Sequence, residues 1–111
     1  MRRDDERIRD MLDAIVQIEK YSTRGAVAFA HEELVQTWIV HHLQIIGEAA
    51  SKISLETRKK FSEIPWRKII SMRNIIIHDY FILEIDKVWK AVEKDLPDLK
   101  VSLQKILQKL K

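Results

Sequence analysis

The chain has 111 residues, 46% hydrophobic and 33% charged, with 20 Lys and Arg against 17 Asp and Glu for a net charge of +3. That composition supplies one core in one domain, over residues 1–111, and excludes a disordered chain; its mild basic balance permits an RNA or phosphate partner without demanding one. The absence of Cys excludes disulfides and thiolate metal sites and fits a reducing, cytoplasmic setting; no stretch reaches the roughly 18 apolar residues that span a bilayer, and the charged start Met1-Arg2-Arg3-Asp4-Asp5-Glu6-Arg7 does not read as a signal peptide.

With two Gly and two Pro, few turns and long helices are expected. The first helix is predicted from about Asp5 to Tyr21, with Ile8, Met11, Ile15 and Ile18 at helical spacing and Leu12 and Val16 widening the stripe. Asp4 or Asp5 is placed to cap it, and Ser22-Thr23-Arg24-Gly25 to end it. The second helix is predicted to be long, Val27 to Lys52. Leu34, Trp38, His41, Ile45 and Glu48 fall near one face, with Val35, His42 and Ile46 in an adjacent row. Two apolar rows on one helix imply contacts on two sides, from a bundle or a dimer.

A short helical turn is expected over Leu55 to Phe61. Ile64-Pro65-Trp66 opens a third helix, because Pro suits a first turn where its missing N–H costs nothing. That helix is predicted to run to about His78. A fourth spans Asp86 to Lys94, and a fifth starts near Asp95-Leu96-Pro97 and carries Leu99, Leu103, Ile106 and Leu110. No segment alternates as a half-buried strand does. The fold class is therefore all-α, an up-and-down bundle of four to five helices. Trp38, Trp66 and Trp89 read as core or interface anchors, and Lys100, Lys105, Lys109 and Lys111 as a solvated face.

The chemistry concentrates between Trp66 and Tyr80. Wound at about 100° per residue, Ile69, Ile70, Ile76 and Ile77 share one direction, and Arg73 points down the middle of that apolar arc. A cation there needs a partner or a wet cleft. Glu48 is the best carboxylate to pair with it. Arg67, Ser71, Asn74 and His78 lie on the opposite side, with Asn74 and His78 neighbours at i and i+4. His78 is about 140° around the helix from Arg73. The two converge only if the Arg side chain wraps round, the helix loosens, or a second subunit completes the site.

These residue types suit RNA cleavage without a metal. His titrates near neutrality and serves as base or acid. Arg presents a planar fork to phosphate oxygens. Asn74 can orient the imidazole or the phosphate, and Tyr80 supplies a hydroxyl and a stacking face. His31-Glu32-Glu33-Leu34-Val35 starts like a zinc-protease helix but has Val35 where the second His must stand. Adjacent His41 and His42 diverge, so no metal site and no cofactor is expected. No Gly-rich phosphate loop is present. Nor is there a compact helix-turn-helix with concentrated charge, so DNA is not expected as a partner.

Arg73, then Asn74-Ile75-Ile76-Ile77, then His78-Asp79-Tyr80, resembles the signature of the HepT branch of the HEPN superfamily. Gln44-Ile45-Ile46-Gly47-Glu48-Ala49-Ala50, Ile64-Pro65-Trp66 and Asp95-Leu96-Pro97 agree with it, so the likeness covers nearly the whole chain. The resemblance implies helical bundles that form homodimers, with two motifs facing one cleft. It implies a metal-independent endoribonuclease toxin acting on RNA, whether tRNA or mRNA. Its partner would be a MntA-like nucleotidyltransferase antitoxin that transfers AMP onto Tyr80. A non-catalytic helical module that docks onto such a transferase is the alternative.

Overall fold

The computed structural model describes residues 3–71 and 85–110, and all regular structure among them is helical. Helix α1 spans Asp4–Ser22, and its buried residues include Ile8, Met11, Ile15 and Ile18, the stripe predicted from spacing. The turn after it passes through Gly25 at φ +90°. An added Cβ would meet nothing within 4 Å; glycine is required there by backbone conformation and not by space.

The long second helix is divided in two. Helix α2 runs Gly25–His31 and α3 runs Glu33–Ser51, with Glu32 extended at φ −104° and ψ 108° between them. The break is stitched from both sides. The Glu32 backbone N–H donates to the Ala28 carbonyl at 2.8 Å, and its own carbonyl accepts the Gln36 N–H at 3.0 Å. The Arg24 guanidinium holds the Glu32 carboxylate at 2.8 Å.

The core face of α3 also differs from expectation. Val35, Ile39, Leu43, Ile46 and Ala50 are buried, and α3 packs along α1. In the other row Leu34 is 84% exposed, His41 and Glu48 are exposed, and Trp38 and Ile45 are half-buried. Both rows are apolar, and only the tertiary partner decides which one faces inward. Trp38 still anchors the helix pair, its indole N–H donating to the Gln17 carbonyl at 2.6 Å.

Helix α4 spans Leu55–Lys60. The described part of α5 covers 66–71. Helix α6, Ile85–Lys90, then runs through a π turn, Ala91–Asp95, into α7, Leu96–Leu110. The predicted boundary at Asp95-Leu96-Pro97 is thus a change of winding and not a stop. Pro97 has no N–H, and in a regular helix its ring would strike the carbonyl four residues back. The turn just before it is widened, with the Leu96 N–H donating to the Ala91 carbonyl. This lets the helix continue past the proline.

Among the described residues, Ile8, Met11, Ile15, Ile18, Phe29, Ile39, Leu43, Ile46, Leu103 and Ile106 are the largest wholly buried side chains. Helices α1, α2, α3 and α7 therefore surround the core. Burying one such aliphatic side chain stabilises the fold by about 1.5–3 kcal/mol. No described helix is long and apolar enough to cross a membrane.

Candidate functional site

Helix α5 leads into the Arg73–Tyr80 motif, and its start is rigidly fixed. The Ile69 N–H reaches the Pro65 carbonyl at 3.1 Å, closing the first turn. The Trp66 indole N–H donates to the Phe61 carbonyl at 3.1 Å in a buried setting. Ile69 is buried and Ile70 half-buried, while Arg67, Lys68 and Ser71 are exposed. The division into an apolar arc and a polar face agrees with the sequence reading up to Ser71.

Arg73, Asn74, His78 and Tyr80 lie outside the described residues. Glu48, the other residue singled out, is on α3, where its carboxylate meets Lys52 at 3.4 Å with both side chains about half exposed. An i,i+4 pair so open to water is weak, roughly 0.3–0.5 kcal/mol.

Two clefts border α5 and share Pro65, Lys68 and Ser71. The first, about 630 Å³, also has Arg58, Ile64, Trp66 and Arg67 in its wall. Arg58 is committed to structure, since its guanidinium donates to the carbonyls of Ala50 at 3.1 Å and Ser51 at 2.8 Å at the end of α3. The second cleft, about 580 Å³, opens between α5 and the α6–π–α7 rod. Its floor is apolar, from Ile69, Val88, Ala91, Leu96 and Leu99. Its rim carries Lys68, Lys87, Lys90 and Lys94, with Asp95 and Asp98. Lys68 and Asp95 face each other across it at 3.4 Å. Sequence reasoning passed over these lysines, although 87, 90 and 94 share one ridge of the predicted fourth helix.

Asp4 does a different task from the one expected. It does not cap α1 but lies inside its first turn, where Oδ2 accepts the Ser54 hydroxyl at 2.6 Å and the Thr57 hydroxyl. Oδ1 accepts the Ser54 backbone N–H at 3.2 Å. Burial works to raise the Asp4 pKa, but these hydrogen bonds and the charge of Arg58 outweigh it and hold the carboxyl below its usual range. Ser54 in turn caps α4 by accepting the Thr57 N–H.

His41 and His42 have rings 5.0 Å apart at 87°, edge to face, which is no chelating geometry. His42 Nδ1 is 2.7 Å from the Trp38 carbonyl oxygen. Among the described residues no group of three or more His, Asp or Glu side chains is placed to hold a metal ion.

A family model described as ribonuclease HepT-like matches residues 11–106. The chain is 34% identical over 101 residues to a protein of Methanocaldococcus jannaschii named "Gamma-glutamylcyclotransferase and putative RNase", covering 90% of this chain and 46% of that relative. It is 33% identical over 100 residues to "Probable ribonuclease HepT" of Thermococcus cleftensis, covering 89% of this chain and 91% of the relative. It is 36% identical over 83 residues to a "Putative RNase" of Caldanaerobacter subterraneus, covering 75% and 74%. The chain thus spans less than half of the first of these relatives and most of the other two. No solved structure matches it.

Proposed function

The chain belongs to the HepT-like ribonuclease family, and from that membership we propose that it is a metal-independent endoribonuclease toxin of a toxin–antitoxin pair. The observation that carries this reading is the string Arg73, four residues, His78, Asp79, Tyr80, which falls inside the matched span 11–106. Arg73 and His78 are the catalytic pair. The imidazole takes the proton of the ribose 2′-hydroxyl, the 2′-oxygen attacks phosphorus, and the P–O5′ bond breaks to leave a 2′,3′-cyclic phosphate. A protonated imidazole returns the proton to the leaving 5′-oxygen. The Arg73 fork steadies the negative charge on the phosphorane oxygens, and Asn74 orients the imidazole or the phosphate.

The 140° between Arg73 and His78 on a regular helix is met by a homodimer in which two motifs face one groove. Glu48 is the supporting carboxylate for Arg73; its surface pair with Lys52 is too weak to hold it away. Tyr80 is the point of control. Its phenolic oxygen attacks the α-phosphorus of ATP on a MntA-like nucleotidyltransferase, pyrophosphate leaves, and the bulky anionic adenylyl group bars an RNA strand.

Expression without the transferase should arrest growth, and co-expression should restore it while adding one adenylyl mass per modified Tyr80. Restored growth with unchanged intact mass contradicts the modification and favours steric inhibition.

The second reading, a non-catalytic module that docks on the transferase, draws on the exposed apolar side chains Val27, 74% exposed, and Leu34. It expects tight binding to the transferase and no RNA cleavage.

A further inference from the structure

The second cleft is rimmed by a row of cations. Lys87, Lys90 and Lys94 line it from α6 and the π turn, and Lys68 lines it from α5, against Asp95 and Asp98. Lys87, Lys90 and Lys94 are all exposed. They stand three and four residues apart, so their side chains fall along one ridge of the rod. The side chains are not spread at random around the rod. Val88, Ala91 and Val92 between them are buried, so the alternation of buried aliphatic and exposed ammonium fixes the ridge on the cleft side.

We propose that this ridge is a binding track for the phosphodiester backbone of single-stranded RNA, with Lys68, paired to Asp95 at 3.4 Å, at its far edge. It rests on the nuclease reading given above, because α5 forms one wall of the cleft and continues in sequence into the Arg73–His78 motif. The cleft would then hold the strand on one side of the scissile bond. Its chemistry fits a backbone and not a base sequence. Ammonium groups are point charges that pair with phosphates without directional demands, and among the described residues the floor offers aliphatic side chains and no aromatic face for stacking. Binding along it is therefore tolerant of sequence and strongly dependent on salt. An acidic peptide would find the same charges, but the spacing of lysines along one ridge, with Lys68 shared by both clefts flanking α5, suits a continuous polyanion.

The test uses the His78→Ala protein, which removes cleavage, with a labelled 20-nucleotide oligouridylate across a salt series. On a single strand, each phosphate neutralised by a cation contributes about 0.7 to the slope of log K against log salt. Replacing Lys87, Lys90 and Lys94 together by Gln should lower that slope by roughly two and weaken binding about tenfold or more at low salt. The same charge removal at Lys20, Lys59 and Lys105, exposed residues that line neither cleft, should leave slope and affinity near those of the parent. Equal slopes for the two triple variants, with unchanged helicity by circular dichroism, overturn the inference. Tighter binding to poly-glutamate than to RNA of the same charge also overturns it. A ridge-dependent slope in a protein that never cleaves RNA keeps the track and removes the nuclease. Cleavage without ridge dependence keeps the nuclease and removes the track.

Discussion

The α1–α3–α7 side of the molecule and the α5–α6 edge are built to different rules. On the first, apolar side chains from three helices meet with almost none of their surface left to water, as at Ile15, Leu43 and Leu103. On the second, one helix is walled by two clefts, its exposed face carries Arg67 and Lys68, and the facing rod carries three more lysines. The core holds shape by packing, and the edge presents charge. Substitutions in the two regions should fail in different ways.

The largest expected effect on stability is in the core. Leu43→Ala should cost about 2–5 kcal/mol, through lost transfer energy and a cavity that α1 and α3 only partly close. Chemical denaturation would read it, and a loss near zero would mean that the packing is looser than the structure implies. A smaller effect sits at the start of α1. Asp4 ties α1 to the start of α4, and Asp4→Ala should cost about 1 kcal/mol at neutral pH. The Asp4 pKa is lowered in the folded state, so its contribution is full above the unfolded value of about 3.9 and fades as pH falls through the lower, folded one. The difference between wild type and Asp4→Ala in urea midpoint should therefore shrink below about pH 4; a gap that widens on acidification would reverse the assigned sign. The smallest effect is at the edge. The Lys68–Asp95 pair joins side chains 71% and 55% exposed, so Lys68→Ala should change stability by at most about 0.5 kcal/mol. A loss of several times that would show the edge to be a second core.

Much of the framework is legible in the sequence because it depends on local periodicity. The α1 stripe follows from four apolar residues at helical spacing, and the Pro65-Trp66 start of α5 from proline chemistry. What is not legible depends on partners distant in the chain. Leu34 and Val35 are both apolar, and only the position of α1 decides that Val35 turns inward. Glu32 breaks a helix that composition would continue, held by Arg24 and by its own backbone bonds. Asp95-Leu96-Pro97 reads as the start of a new helix, yet a π turn carries the preceding helix through it without a break. At the site, the motif spacing is visible in sequence and lies outside the described residues. The lysine rim required α5 and the rod to be brought together.

The central claim is that Arg73 and His78 cleave RNA without a metal. It is tested most directly by incubating the purified protein with RNA in excess chelator and following cyclic-phosphate ends. Wild type should produce them, and His78→Ala should lower the rate by roughly 10²–10⁴-fold while keeping the wild-type unfolding midpoint. Cleavage at an undiminished rate by His78→Ala, or none by the wild type, would contradict the account.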